Sequence, residues 1–334
     1  MMTYQNFKET VIAALVSYMP EEYREMQIVC RKMLYINQER EILTCSIPNA
    51  HVNTVSICLA DAYDDYRENR HIVAMLRDMA KILVEKFQMP LVPEMDETVL
   101  RNADQKIVFY LINTEQNRKL LADVPHREFL DLSIIYELVV QMDETGIAFG
   151  MIKNDIARKL SMTEEQLFQY AYRNTKRLLR PVVCDVSSML HAFAAVEDAD
   201  VELEPVPKTQ TLWYIGNAVE KYGAASILYS DLMSELAGNV GSDLYLYPSS
   251  VHEFLAQSVH AFDSEDDQPD HLADTVADIN MSTVSLRDRL SNQVYRYCRA
   301  TGKITLLTNT ANTRLDKLAC PPKHVDSLAG YWKS

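Results

Sequence analysis

The sequence predicts an α+β protein, built mainly from antiparallel sheets of hairpins packed with helices and divided into two regions. Apolar runs of strand length come in adjacent pairs separated by short polar turns, which is hairpin spacing. Helical periodicity falls between these pairs in blocks, without the strand–helix alternation that a parallel sheet requires. Only 8 of the 334 residues are glycine, few for a nucleotide-binding α/β fold whose backbone must approach phosphate closely.

In chain order, Phe7, Val11, Ile12, Leu15, Val16 and Met19 recur at helical spacing, and Pro20 stops that helix. "MQIVCRKMLYI" and "EILTCSI" read as two strands turning at "NQER", with "HVNTVSICL" as a third. A helical stretch follows through "ADAYDDYRENR", and Ile72, Met75, Leu76, Met79, Leu83 and Phe87 then line one face. Helix, three strands and two helices make the first region, 1–100, which closes at the proline-containing linker "MPLVPEMDE".

The second region, 101–310, opens with the strand "KIVFYLI" and a short helix or turn in "NTEQNRKLLADV". "FLDLSIIYELVVQMDETGIAFGMIK" is a hairpin, with Gly146 supplying positive φ at the turn. Thr163 and Gln166 form a capping box before the helix "EEQLFQYAYRNTKRLL", which Pro181 ends. "AVEDADVELEPVPKTQ" reads as an acidic exposed loop and "TLWYIGN" as a strand. A helix is expected from Ala224 to about Ala237, with Gly238 at its C-terminal cap. "DLYLYP" and "EFLAQSV" are paired strands, followed by the loop "FDSEDDQPDH" and a short helix from about Leu272. A last hairpin, "QVYRYC" with "ITLL", turns at Thr301 and Gly302, and residues 311–334 read as a poorly ordered tail without periodicity.

Hydrophobic content of 48% and charged content of 24% are globular values. The 47 acids and 33 bases give a net charge of −14. That balance supports solubility and repels phosphate, so no nucleic-acid partner is expected. Cys30, Cys45, Cys58, Cys184, Cys298 and Cys320 include no C-x-x-C pair and read as reduced core thiols of a cytoplasmic protein. No run approaches bilayer-spanning length and the N-terminus lacks a signal-peptide pattern, so no membrane partner is expected.

The most polar cluster lies in "YLYPSSVHEFL", residues 245–255, where Ser249, Ser250, His252 and Glu253 are the candidate catalytic residues. On an extended strand Ser250 and His252 share one face and Glu253 the other, so Glu253 cannot orient the histidine. In a turn, either serine can cap backbone donors. The G-x-S-x-G elbow is absent, and the hairpin-turn reading is preferred. No metal site is expected: no histidines stand at i, i+4, and the acidic loop between His260 and His271 lacks the EF-hand pattern. Arg173, Lys176, Arg177 and Arg180 complement a helix C-terminus, with an anion site as the sharper alternative. "AGNVGSD" has neither phosphate-loop lysine nor dinucleotide spacing, so no cofactor is expected. Tyr63 and Tyr66 are among 18 tyrosines that either furnish an interaction surface or pack their rings with wet hydroxyls.

Four blocks in order, "MTYQNFKETV", "DIARKLSMTEEQLFQYAYRNT", "YGAASILYSDLMSELAGNVGSDLYLYPSSVHEFL" and "LSNQVYRYCRATGKI", resemble the bacterial domain of unknown function family 5688 across nearly the whole chain. The hairpin, the capped "TEEQL" helix and the proline-ended strand more distantly resemble the domain of unknown function 1444 family. That family has a P-H motif where this chain inserts Ser249, Ser250 and Val251 between Pro248 and His252. The resemblances imply a bacterial origin, an α+β fold and an accessory role linked to mobile genetic elements, with no catalytic residues to carry over. The expected function is non-enzymatic binding of another macromolecule, most plausibly a protein. The rivals are a hydrolase or transferase using His252 with Ser250 or Glu253, and an acidic nucleic-acid mimic.

Overall fold

All strand pairs in the computed structural model are antiparallel among the described residues, which are 1–48, 54–89, 97–143, 146–189, 206–261 and 269–318. With helices packed on these sheets, the chain is α+β. It divides into two compact units, residues 1–96 and 97–334.

The first unit begins with α1 (Tyr4–Ala14), whose N-terminus is capped by Thr3 Oγ1 accepting from the Asn6 N–H at 3.3 Å. Strands β1 (Gln27–Tyr35), β2 (Gln38–Ser46) and β3 (Val55–Cys58) form a sheet in that order. The turn sits at Ile36 and Asn37, earlier than "NQER", because Asn37 takes the left-handed conformation (φ 64) that asparagine tolerates. Helices α2 (Leu59–Asn69) and α3 (Ile72–Gln88) follow. Their apolar faces bury Leu59, Leu76, Leu83 and Phe87 against Phe7, Val11 and Leu15 of the N-terminal segment and Leu43 and Cys45 of β2. The 3.6-residue period read from the sequence is therefore the core-facing stripe.

The second unit contains α4 (Glu97–Leu100), β4 (Ile107–Asn113), α5 (Arg118–Leu121), β5 (His126–Phe129), β6 (Leu132–Asp143) and β7 (Gly146–Met151). Strand β6 pairs with β4, β5 and β7. All seven residues of β4 are buried, which explains its continuous apolar run. Helices α6 (Asn154–Leu160) and α7 (Glu164–Leu179) follow, and Thr163 and Gln166 make the expected capping box. Thr175 of α7 fixes the helix to β4, its Oγ1 accepting the Phe109 N–H at 2.9 Å.

A six-stranded sheet follows the order β13–β12–β10–β11–β9–β8, with β8 (Pro181–Asp185), β9 (Trp213–Asn217), β10 (Leu244–Pro248), β11 (Phe254–Ser258), β12 (Tyr295–Cys298) and β13 (Lys303–Leu306). Pro181 thus ends α7 and opens an edge strand, a position where a missing N–H costs no ladder bond. The helix expected from Ala224 is a 3-10 turn over Gly223–Leu228 followed by α8 (Ser230–Val240). Gly238 lies inside α8, and Gly241 (φ 84) is the left-handed cap. Helix α9 (Pro269–Thr283) is 15 residues long, longer than the sequence implied. Within the stretch read as tail, Leu315 is fully buried and its carbonyl accepts from Arg289 Nη1 at 2.6 Å. Residues 319–334, 49–53 with the start of the run "HVNTVSICL", the linker at 90–96, 190–205 with most of the acidic loop, the loop at 262–268 and the turn residues Glu144 and Thr145 lie outside the described residues.

Candidate functional site

The β10–β11 hairpin places Pro248 opposite Phe254, so Ser249, Ser250, His252 and Glu253 occupy the connection between the strands. Ser250 is buried and closes the turn from both sides. Its Oγ donates to Glu253 Oε1 at 2.8 Å and accepts the backbone N–H of His252 at 2.9 Å. The Ser250 N–H also donates to the Glu253 carbonyl at 3.2 Å. This is local hydroxyl-to-backbone capping. Ser249 is half-buried.

The His252 ring turns away from that serine. Its Nδ1 accepts the Tyr222 backbone N–H at 3.1 Å, and its Nε2 stands 3.5 Å from Asp288 Oδ1. Accepting at Nδ1 places the neutral ring's proton on Nε2, toward the carboxylate. Burial pushes the Asp288 carboxyl up, but the Ser285 hydroxyl, Arg287 and His252 outweigh it and hold the group below its ordinary value. The Val251 N–H donates to the Asp288 carbonyl at 2.7 Å, tying the same two segments together through backbone. The structure thus brings Ser250 to Glu253 and His252 to Asp288. A nucleophile–base relay needs a ring nitrogen facing the hydroxyl.

Beyond His252 an aromatic series leads inward. Tyr222 stacks on His252 with ring centroids 6.0 Å apart and on Tyr110 at 4.1 Å, while Phe149 meets it edge-on at 5.7 Å. The Tyr110 hydroxyl donates to Glu137 Oε1 at 3.2 Å. Glu137 lies on β6 and is only 6% exposed, and its Oε2 has no hydrogen-bond partner. Burial raises its carboxyl from 4.5 to about 7, against the Tyr110 hydrogen bond and the positive charge of Lys221.

Sequence reasoning missed Glu137, Tyr110, Tyr222 and Asp288. The available signal was an acid inside the apolar run "SIIYELVV", where a carboxylate needs a partner. Nothing in spacing links it to a turn more than a hundred residues on.

The other candidates resolve individually. Lys176 pairs with Asp231, Arg177 Nη2 donates to the Gln105 carbonyl at 2.7 Å and Arg173 lies over the Tyr170 ring at 5.5 Å. These cations are spread over separate partners and do not converge on an anion. Tyr63 and Tyr66 pack their rings with Phe7, and the Tyr63 hydroxyl donates to the Met2 carbonyl at 2.9 Å. The five described cysteines are free thiols, but only Cys45 is buried, where desolvation raises it to about 11. Among the described residues no group of three or more His, Cys, Asp or Glu side chains could hold a metal ion, and the loop at 262–268 lies outside them. No helix there is long and apolar enough to cross a membrane.

No curated protein and no solved structure matches the chain. A family model does match, over residues 4–299, and it bears on the first of the two sequence resemblances and not on the second. The chain belongs to the family of unknown function DUF5688.

Proposed function

We propose that the protein is a non-enzymatic accessory protein that acts by binding another protein. The observation that carries this reading is β1, a nine-residue edge strand in the first unit with Val29, Leu34 and Tyr35 exposed by 53%, 39% and 40%. Scattered exposed apolar side chains are ordinary, but here Val29 and Tyr35 on one face and Leu34 on the other flank the same edge strand, which suits it to pairing. The hairpin turn supports the same reading, because Ser250 and Glu253 bond each other while His252 is turned to Tyr222 and Asp288.

The link to mobile genetic elements of bacteria, implied by the family resemblance, gives the accessory role a setting. Affinity capture with the intact chain from its native host, followed by titration of the purified partner, is expected to give a saturable complex. Binding that never saturates, or capture that a Ser250→Ala chain of native stability loses together with a measurable turnover, overturns the reading in favour of the hydrolase or transferase.

A further inference from the structure

This inference rests on the protein-binding reading and adds the kind of partner. Among the described residues β1 pairs with β2 alone. In an antiparallel pair every second residue of the outer strand turns its N–H and C=O away from its neighbour, so β1 offers unpaired backbone groups along its outer side. Its side chains alternate, with Val29, Arg31, Met33 and Tyr35 on one face and Ile28, Cys30, Lys32 and Leu34 on the other. Ile28 and Cys30 pack against the core of the unit. Arg31 and Lys32 are both exposed, so the middle of the strand carries a cation on each face.

Glu41, opposite Lys32 on β2, accepts the Tyr4 hydroxyl and Lys8 Nζ on its two oxygens at 2.9 and 2.6 Å, so Lys32 acts on it through charge alone, with Lys8 and Tyr4 as the stronger influences. No acid occurs from Gln27 to Tyr35, in a chain whose net charge is −14. The edge therefore combines free backbone groups, flanking apolar side chains and a local positive centre.

We propose that β1 is the docking edge for an extended segment of a partner protein that carries adjacent acidic residues flanked by apolar ones and adds to the sheet as a further strand. Strand addition of this kind takes its affinity from main-chain hydrogen bonds and its specificity from alternating side chains. A second copy of this chain fits worse. Antiparallel self-pairing centred on the strand sets Arg31 opposite Arg31, and like charges directly opposite are destabilising. A shifted register relieves that contact only by shortening the overlap. The same cations that keep the edge from its own kind select carboxylates.

The test uses the full chain and a fluorescent peptide with two central glutamates within alternating valine and threonine, read by anisotropy. Binding should weaken about ten-fold when the glutamates become lysines, the scale of two exposed charge contacts turned repulsive. The double variant Arg31→Glu/Lys32→Glu should reverse that preference, and it alters only exposed side chains. Methyl groups on one alternate set of peptide amides should abolish binding while the other set leaves it intact. Equal binding of both peptides, indifference to methylation, or a dimer of the chain that the peptide displaces overturns the proposal, the last in favour of a second copy. A native partner captured equally well by the double variant also overturns it and leaves the protein-binding reading standing. Peptide binding as described, with no partner captured from the host, sinks the broader reading and with it the assignment of β1 to a partner protein.

Discussion

Glu137 shows most directly how a single side chain is set by its surroundings. It sits on β6 between Val108 and Met151 of the neighbouring strands, 6% exposed, with one oxygen bonded by Tyr110 and the other without a partner. Desolvation raises the carboxyl from 4.5 to about 7, so the native state holds this proton more tightly than the unfolded chain does. Where the native state binds more protons, stability falls as pH rises. The contribution of Glu137 is therefore most favourable below about 4.5, declines between that value and about 7, and is flat above. Glu137→Gln removes the titration and keeps an oxygen for Tyr110. Urea denaturation at pH 5 and pH 8 is expected to show the variant gaining on the parent by about 2 kcal/mol across that interval. A pH-independent difference would show that the carboxyl titrates at its ordinary value. Periodicity cannot reveal such a residue. Glu137 occupies an ordinary core-strand position, and only the stacked rings of Tyr110 and Tyr222, from distant segments, show what surrounds it.

At the scale of elements, the hairpins and the helices α3 and α7 were legible because period and turn chemistry agree there, whereas the helix read as running to Met19 ends at Ala14 and passes into a 3-10 turn, Leu15–Tyr18. The faces read for α1 and α3 are the buried ones, and the capping box at Thr163 starts α7. What escaped was short or decided by contacts distant in sequence. Strand β5, His126–Phe129, has four residues and gains its conformation by pairing with β6. Strand β8 hides behind Pro181, whose helix-stopping role is only half of its work. The helix read from Ala224 to about Ala237 is broken at Tyr229, which is extended (ψ 104), and the 3-10 turn before it begins at Gly223, which passes against the hairpin turn. A Cβ there would lie 2.4 Å from the His252 carbonyl oxygen and 2.7 Å from the Asn217 nitrogen, both backbone atoms. At Gly216 the nearest atom is instead the hydroxyl end of Tyr214, at 2.2 Å. A side chain can swing away where backbone cannot. Gly223→Ala is therefore expected to cost more than about 3 kcal/mol, or to leave no cooperative unfolding transition, with Gly216→Ala costing distinctly less. Paired denaturation curves decide this. Similar costs would mean that the 3-10 segment can move off the turn, and the hold of the Tyr222 N–H on His252 would weaken with it.

Across the whole molecule two electrostatic scales oppose each other. A net charge of −14 repels acidic ligands and nucleic acid at long range, whereas Arg31 and Lys32 attract carboxylates at contact. Salt separates the two because its screening length is about 10 Å at 0.1 M, longer than a contact and shorter than the molecule. For the acidic peptide, raising salt from about 20 to about 150 mM should speed association by screening the global repulsion. It should also speed dissociation, by loosening the two cation contacts. In Arg31→Glu/Lys32→Glu the dissociation rate should no longer rise with salt in this way, while association should still speed up. Stopped-flow anisotropy resolves both rates. An acidic nucleic-acid mimic behaves differently: it binds basic proteins, its association slows steeply as salt rises, and β1 substitutions leave it unchanged. Slower peptide association at higher salt would mean that the positive potential of β1 extends beyond the screening length. The acids would then be gathered away from that edge, and charge would have to be treated as a property of each face and no longer of the chain.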